Sequence, residues 1–214
     1  MSFGILIVLV TALGYVANWI NWRFLNYRLV HLLYFVGAFV HEASHAILCV
    51  LTGARILEFK VFSRQPRVAY NSPKLRLIME PLISLAPIIG GLLFFYLVNE
   101  YLIAGYFQVP AVASLKGALM SPLALLSQIN LIHWQSWLMI LLSLNAGAMI
   151  GPSVRDLKNI WPILIIFFFI NSTALDSLLF LVFGLILTNI IIQVILIIFI
   201  WFLKLLKKPS RNQH

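Results

Sequence analysis

The chain has 214 residues, of which 62% are apolar and only 10% are charged, whereas a water-soluble domain carries about a quarter charged residues. Runs of mostly apolar residues long enough to span a bilayer recur along it, which excludes secreted, fibrous and disordered classes and implies a protein made for lipid. The net charge of +9 does not imply nucleic acid, because the fifteen Lys and Arg residues stand between and after the apolar runs and form no aromatic-rich basic stripe.

In chain order, the apolar segments are 4–20, 29–52, 79–103, 135–151, 159–174 and 177–203, each long enough or nearly so for a membrane-crossing helix. The first has no basic leader region and no convincing cleavage site, so it is expected to be retained as a span. The second holds the single cysteine, Cys49, and one cysteine permits no intrachain disulfide framework. Between the second and third, Ile56, Phe59, Val61, Val68 and Tyr70 are interleaved with polar residues around Ser63-Arg64-Gln65-Pro66, which predicts a short β-hairpin. The connection 104–132 is mildly apolar and is expected along the outer interface. The fourth segment carries Gly147 and Gly151, a small-xxx-small pair suited to close helix approach. The fifth is the weakest and contains Pro162, so a broken or re-entrant element is the alternative to a crossing.

With a cytoplasmic N-terminus and six crossings, the cytoplasmic side holds Arg55, Lys60, Arg64, Arg67, Lys74, Arg76, Arg155, Lys158, Lys204, Lys207, Lys208 and Arg211, which is 12 of the 15 basic residues. The bias of basic residues toward that side then predicts a multi-pass protein with both termini in the cytoplasm.

The second segment contains His41-Glu42-Ala43-Ser44-His45. On a helix the two histidines lie one turn apart on one face, so both imidazoles can meet one metal ion, with Glu42 beside them as a general base. Ionisable groups in an apolar span are costly unless paired or coordinated, which makes them functional candidates. A catalytic zinc takes a third protein ligand. Glu58, Glu100, Asp176 and His31 sit at the wrong depth or surface. Asp156, in Gly151-Pro152-Ser153-Val154-Arg155-Asp156, follows a span ending on the correct side, where Gly and Pro should unwind the helix and turn the carboxylate inward. Glu80, next to Pro81, is the alternative ligand, with an ion pair to Arg76 as its other reading. Asn145 is a candidate for binding a substrate backbone, or for bonding another helix.

This pattern resembles the site-2 protease family of intramembrane zinc metalloproteases, on His41-Glu42-Ala43-Ser44-His45 within a span, the hairpin-like basic segment after it, and Asp156 beside a Pro and Gly break. The resemblance covers most of residues 29 to 160. It implies an all-α polytopic membrane protein of about six transmembrane helices, with a three-helix catalytic core and a small β-hairpin on the cytoplasmic side. Residues 1–214 then form one integral membrane domain: 1–28 the first span and loop, 29–160 the catalytic core, and 161–214 the C-terminal spans and basic tail. It implies Zn2+ held by His41, His45 and Asp156, Glu42 as general base, and a substrate strand laid near Val61 and Val68. The aspartate departs from the family's usual Asn/Pro-Asp-Gly surroundings and has a Pro-Ser-x-x-Asp form suited to a compact, divergent member.

The function so implied is hydrolysis of peptide bonds in membrane-embedded or membrane-associated proteins, in a prokaryotic plasma membrane, with a regulatory membrane partner and no nucleic acid. The alternatives are a structural or chaperone-like membrane subunit with a protease-derived fold, and a membrane zincin of the Ste24/HtpX class, whose third ligand is a glutamate.

Overall fold

The computed structural model describes residues 3–24, 27–61, 63, 66–108, 110–153, 155–160 and 173–206. The fold is mostly helical, with helices α1 (Phe3–Phe24), α2 (Tyr27–Leu51), α3 (Arg76–Leu97), α4 (Leu115–Leu126), α5 (Trp134–Ile150) and α6 (Thr173–Leu206). Residues 155–160 form a further short helical stretch. Strands β1 (Ile56–Lys60) and β2 (Arg67–Tyr70) pair antiparallel between α2 and α3, with Phe59 opposite Val68 and Lys60 opposite Arg67. Among the described residues three helices are long and apolar enough to cross a membrane, over Leu32–Leu51, Arg76–Leu102 and Asp176–Leu206. Shorter apolar helical segments cover Ile5–Asn21, Leu115–Leu126 and Trp134–Ile150.

Large apolar side chains such as Leu32, Phe35, Ile89, Ile195 and Phe199 lie exposed on the bundle surface, while Asn145, Asn189 and Gln193 are fully buried. That inversion suits lipid, where hydrocarbon is no worse a neighbour for leucine than another helix, and association rests on close packing and interhelical hydrogen bonds. Asn145 supplies such bonds. Its Oδ1 accepts from Gly37 N–H at 2.8 Å and its Nδ2 donates to the Leu33 carbonyl at 2.8 Å, so its amide grips the same carbonyl and N–H that an undisturbed α-helical turn pairs. A Cβ on Gly37 would lie 2.9 Å from Asn145 Oδ1, so only glycine lets the amide in.

Helix directions follow from these contacts. Gly147 packs against Ala17 and Gly151 against Gly14, so α5 runs opposite to α1; the small pair serves α1 and not the histidine-bearing α2. Asn145 meets Leu33 and Gly37, and Asp156 meets His41 and His45, so α5 and α2 run in the same direction. In α6, Asn189 donates to the Leu144 carbonyl, while Ile192, Leu196, Ile197 and Ile200 cluster with Val30, Tyr34 and Ile140 near the starts of α2 and α5. Helix α6 therefore runs opposite to both and ends where α2 begins.

Six crossings with both termini on one side would end α6 at the hairpin end, but Lys204 lies at the other end of the bundle. The fifth expected segment, 159–174, falls largely outside the described residues, as do Arg64, Gln65 and the tail from 207. The connection 104–132 contains α4, a capped helix, Ser114 Oγ accepting from Gly117 N–H at 3.2 Å, which packs its Ser121 against Gly184 of α6.

Candidate metal centre

Helix α2 carries His41 and His45 on one face, and the short helix after α5 brings Asp156 to them; all three are buried. His41 Nε2 and His45 Nε2 are 3.2 Å apart. Asp156 Oδ2 is 3.6 Å from His41 Nε2, and its Oδ1 is 3.3 Å from His45 Nε2. With one ligand atom taken from each residue, the three lie within 4.8 Å of one another, close enough for a single ion to be held among two imidazole nitrogens and one carboxylate oxygen. Among the described residues this is the group of His, Cys, Asp and Glu able to hold a metal ion. Glu42 is buried beside it, and its carboxylate faces the backbone amide of Val68 on β2.

A metal-ligating imidazole needs one nitrogen protonated and held, so that the other offers its lone pair. His45 Nδ1 lies 2.8 Å from the Ile83 carbonyl, an acceptor, so Nδ1 carries the proton and Nε2 is the free donor atom. That carbonyl is free for a reason visible in α3. Pro87 stands four residues after Ile83 inside the helix and has no N–H to close the turn onto it. His41 Nδ1 has no such partner.

Asp156 is fixed by its own helix start. Its Oδ2 accepts from Ser153 N–H at 2.7 Å and from Ser153 Oγ at 2.6 Å, while its N–H donates to Ser153 Oγ at 3.2 Å. This is a capping box, Ser-x-x-Asp, whose acidic member also faces the histidines. Beside it, the Arg155 guanidinium lies 6.0 Å above the ring of Tyr70 on β2, which joins the aspartate-bearing helix to the hairpin. Tyr70 stays neutral, burial raising its hydroxyl to about 12.

Other candidate residues lie apart from the group. Glu80 accepts from Ser72 Oγ at 2.7 Å and from Arg76 Nε at 3.0 Å, which is the ion-pair reading and leaves no third ligand there. Glu58 is paired with Lys60 and Arg67 across the hairpin, and these cations hold its carboxyl below the usual range. Asn145 is corrected from substrate contact to helix clamp, since Leu33, Gly37 and its own Leu141 carbonyl occupy its amide. Val61 and Val68 are both buried at the hairpin. Sequence reasoning missed Ser153, Gly37, Pro87 and the Ile83 carbonyl. The Ser-x-x-Asp spacing and a proline inside an apolar helix were the available signals for Ser153 and Pro87.

No protein-family model, no curated protein and no solved structure matches this chain.

Proposed function

We propose that the chain is an intramembrane zinc metalloprotease, a compact relative of the site-2 proteases, that cuts membrane-embedded or membrane-associated proteins. The observation that carries this reading is the buried His41, His45 and Asp156 group, whose ligand atoms lie within 4.8 Å of one another, with Glu42 at its side. Zinc would be held by Nε2 of both histidines and the carboxylate of Asp156; when bound, it supplies a Lewis acid that makes water nucleophilic near neutral pH. Glu42 takes the proton that the attacking water loses and passes it to the departing amine nitrogen. The apolar helices around the group keep bulk water from it, which strengthens each charge interaction inside.

A peptide bond within a helix has its carbonyl bonded and shielded, so the substrate must be extended before it is cut. The hairpin supports that step, because β2 places backbone beside Glu42 and an extended chain can add to a strand edge. A glutamate-ligand zincin loses support from the Ser72 and Arg76 bonds to Glu80.

Glu42→Gln tests enzyme against scaffold. It keeps shape and the three ligands but removes the base, a change that costs about 10²- to 10⁴-fold in rate. Affinity purification of Glu42→Gln from its membrane should enrich an uncut membrane protein that the wild type releases shortened. Identical uncut partners in both, with no differing fragment, would replace the protease reading by that of a structural subunit.

A further inference from the structure

A second set of buried polar groups lies away from the metal-ligand group, where α1, α2 and α6 meet. The Tyr34 hydroxyl of α2 faces the side chains of Gln193 on α6 and Asn21 on α1. Tyr34 is seven residues before His41, or about 10 Å along the helix toward the other end of the bundle. Asn21 and Tyr34 are each 4% exposed and Gln193 is 0% exposed. Yet the Tyr34 hydroxyl oxygen, Asn21 Oδ1 and both amide atoms of Gln193 make no hydrogen bond of acceptable geometry.

Four unpaired polar atoms in a bundle faced with hydrocarbon are not tolerated without a partner, because neither lipid nor an apolar side chain can supply one. The cluster's own chemistry defines that partner. It presents carbonyl oxygens that accept, an amide that donates and a hydroxyl that does both, and none of its three side chains carries a charge. A metal ion would be met by the oxygens and repelled by the Gln193 amide hydrogens, and an anion would be met by too few donors. A molecule that donates and accepts equally, and is small enough for a packed helix interface, satisfies all of them, and buried water commonly makes two to four such bonds.

We propose that Asn21, Tyr34 and Gln193 form an internal hydration site that holds a small group of water molecules between α1, α2 and α6. The site is independent of the metal-ligand group and of any proteolysis there. It lets three helices carry polar side chains at mid-bundle, where direct pairing is incomplete.

Radiolytic footprinting of the purified chain in lipid nanodiscs tests this, because millisecond X-ray pulses make hydroxyl radicals from bound water in place. Tyr34 should be oxidised at least ten-fold faster than Phe180 and Phe183, which are 6% and 7% exposed and lie in the apolar core. Gln193→Leu, or Asn21→Leu should the first variant fail to fold, should reduce Tyr34 oxidation several-fold. If wild-type Tyr34 reacts no faster than the two phenylalanines, the side chains pair directly with one another and the proposal is wrong. Rapid Tyr34 oxidation that neither variant diminishes would likewise overturn it, since those residues would not hold the water.

Discussion

Pro87 lacks the N–H that would otherwise bond the Ile83 carbonyl, and His45 uses that carbonyl at 2.8 Å to fix its tautomer. The consequence is testable at a single residue. Pro87→Ala supplies a competing N–H in a better helix former, so His45 Nδ1 loses its partner for part of the time. Zinc affinity, read by chelator competition, should fall about 10- to 100-fold, the usual effect of removing a ligand's orienting bond; unchanged affinity would deny the carbonyl that role. The two histidines and Glu42 were legible because a one-turn spacing on a helix is enough to place them together. The Ile83 carbonyl was not, since a backbone acceptor leaves no mark on its own residue and its user belongs to another helix. Ser153 was half legible: its proline and glycine neighbours signalled a break, while the reciprocal cap with Asp156 that aims the carboxylate was overlooked.

At the scale of elements, the Asn145 amide ties α2 to α5 by hydrogen bonds. Asn145→Leu removes it while nearly preserving volume, and the Leu33 carbonyl and Gly37 N–H remain able to pair within α2. The expected cost is therefore modest, about 1 kcal/mol in a reversible unfolding measurement, as interhelical hydrogen bonds in membranes generally show. KM should not change. A raised KM at unaltered stability would return Asn145 to substrate binding. The hairpin was legible from alternation over Ile56 to Tyr70, and the long apolar runs fell within a few residues of α1, α2, α3, α5 and α6. Helix α4 was missed because its 12 residues are too few to cross a bilayer and Pro122 lies inside it. The Ser114 cap was the one local sign of its start.

Across the whole molecule, the direction of α6 matters more than the number of apolar runs. Helix α6 ends with Lys204 at the end of the bundle opposite the hairpin, so that residue leaves the hairpin side and the 12-to-3 division of Lys and Arg narrows. Packing starts α1 at the hairpin end of the bundle and ends α6 at the other. Hydropathy could not reveal this, because it counts segments and is blind to which way a helix runs. Epitope tags at the two ends of the chain should differ in accessibility to an impermeant reagent in intact cells, one labelled and the other protected; matching behaviour of both would restore an even number of crossings.

The central claim is that two imidazoles on α2 and one carboxylate after α5 hold a single metal ion. Metal content per chain, measured on purified protein equilibrated with zinc and then desalted, tests it most directly. The account predicts about one zinc in the wild type, in Glu42→Gln and in Glu80→Ala, and loss of most of it in His41→Ala and Asp156→Ala. A wild type that retains no zinc, or an Asp156→Ala protein that keeps it while Glu80→Ala does not, would contradict the account.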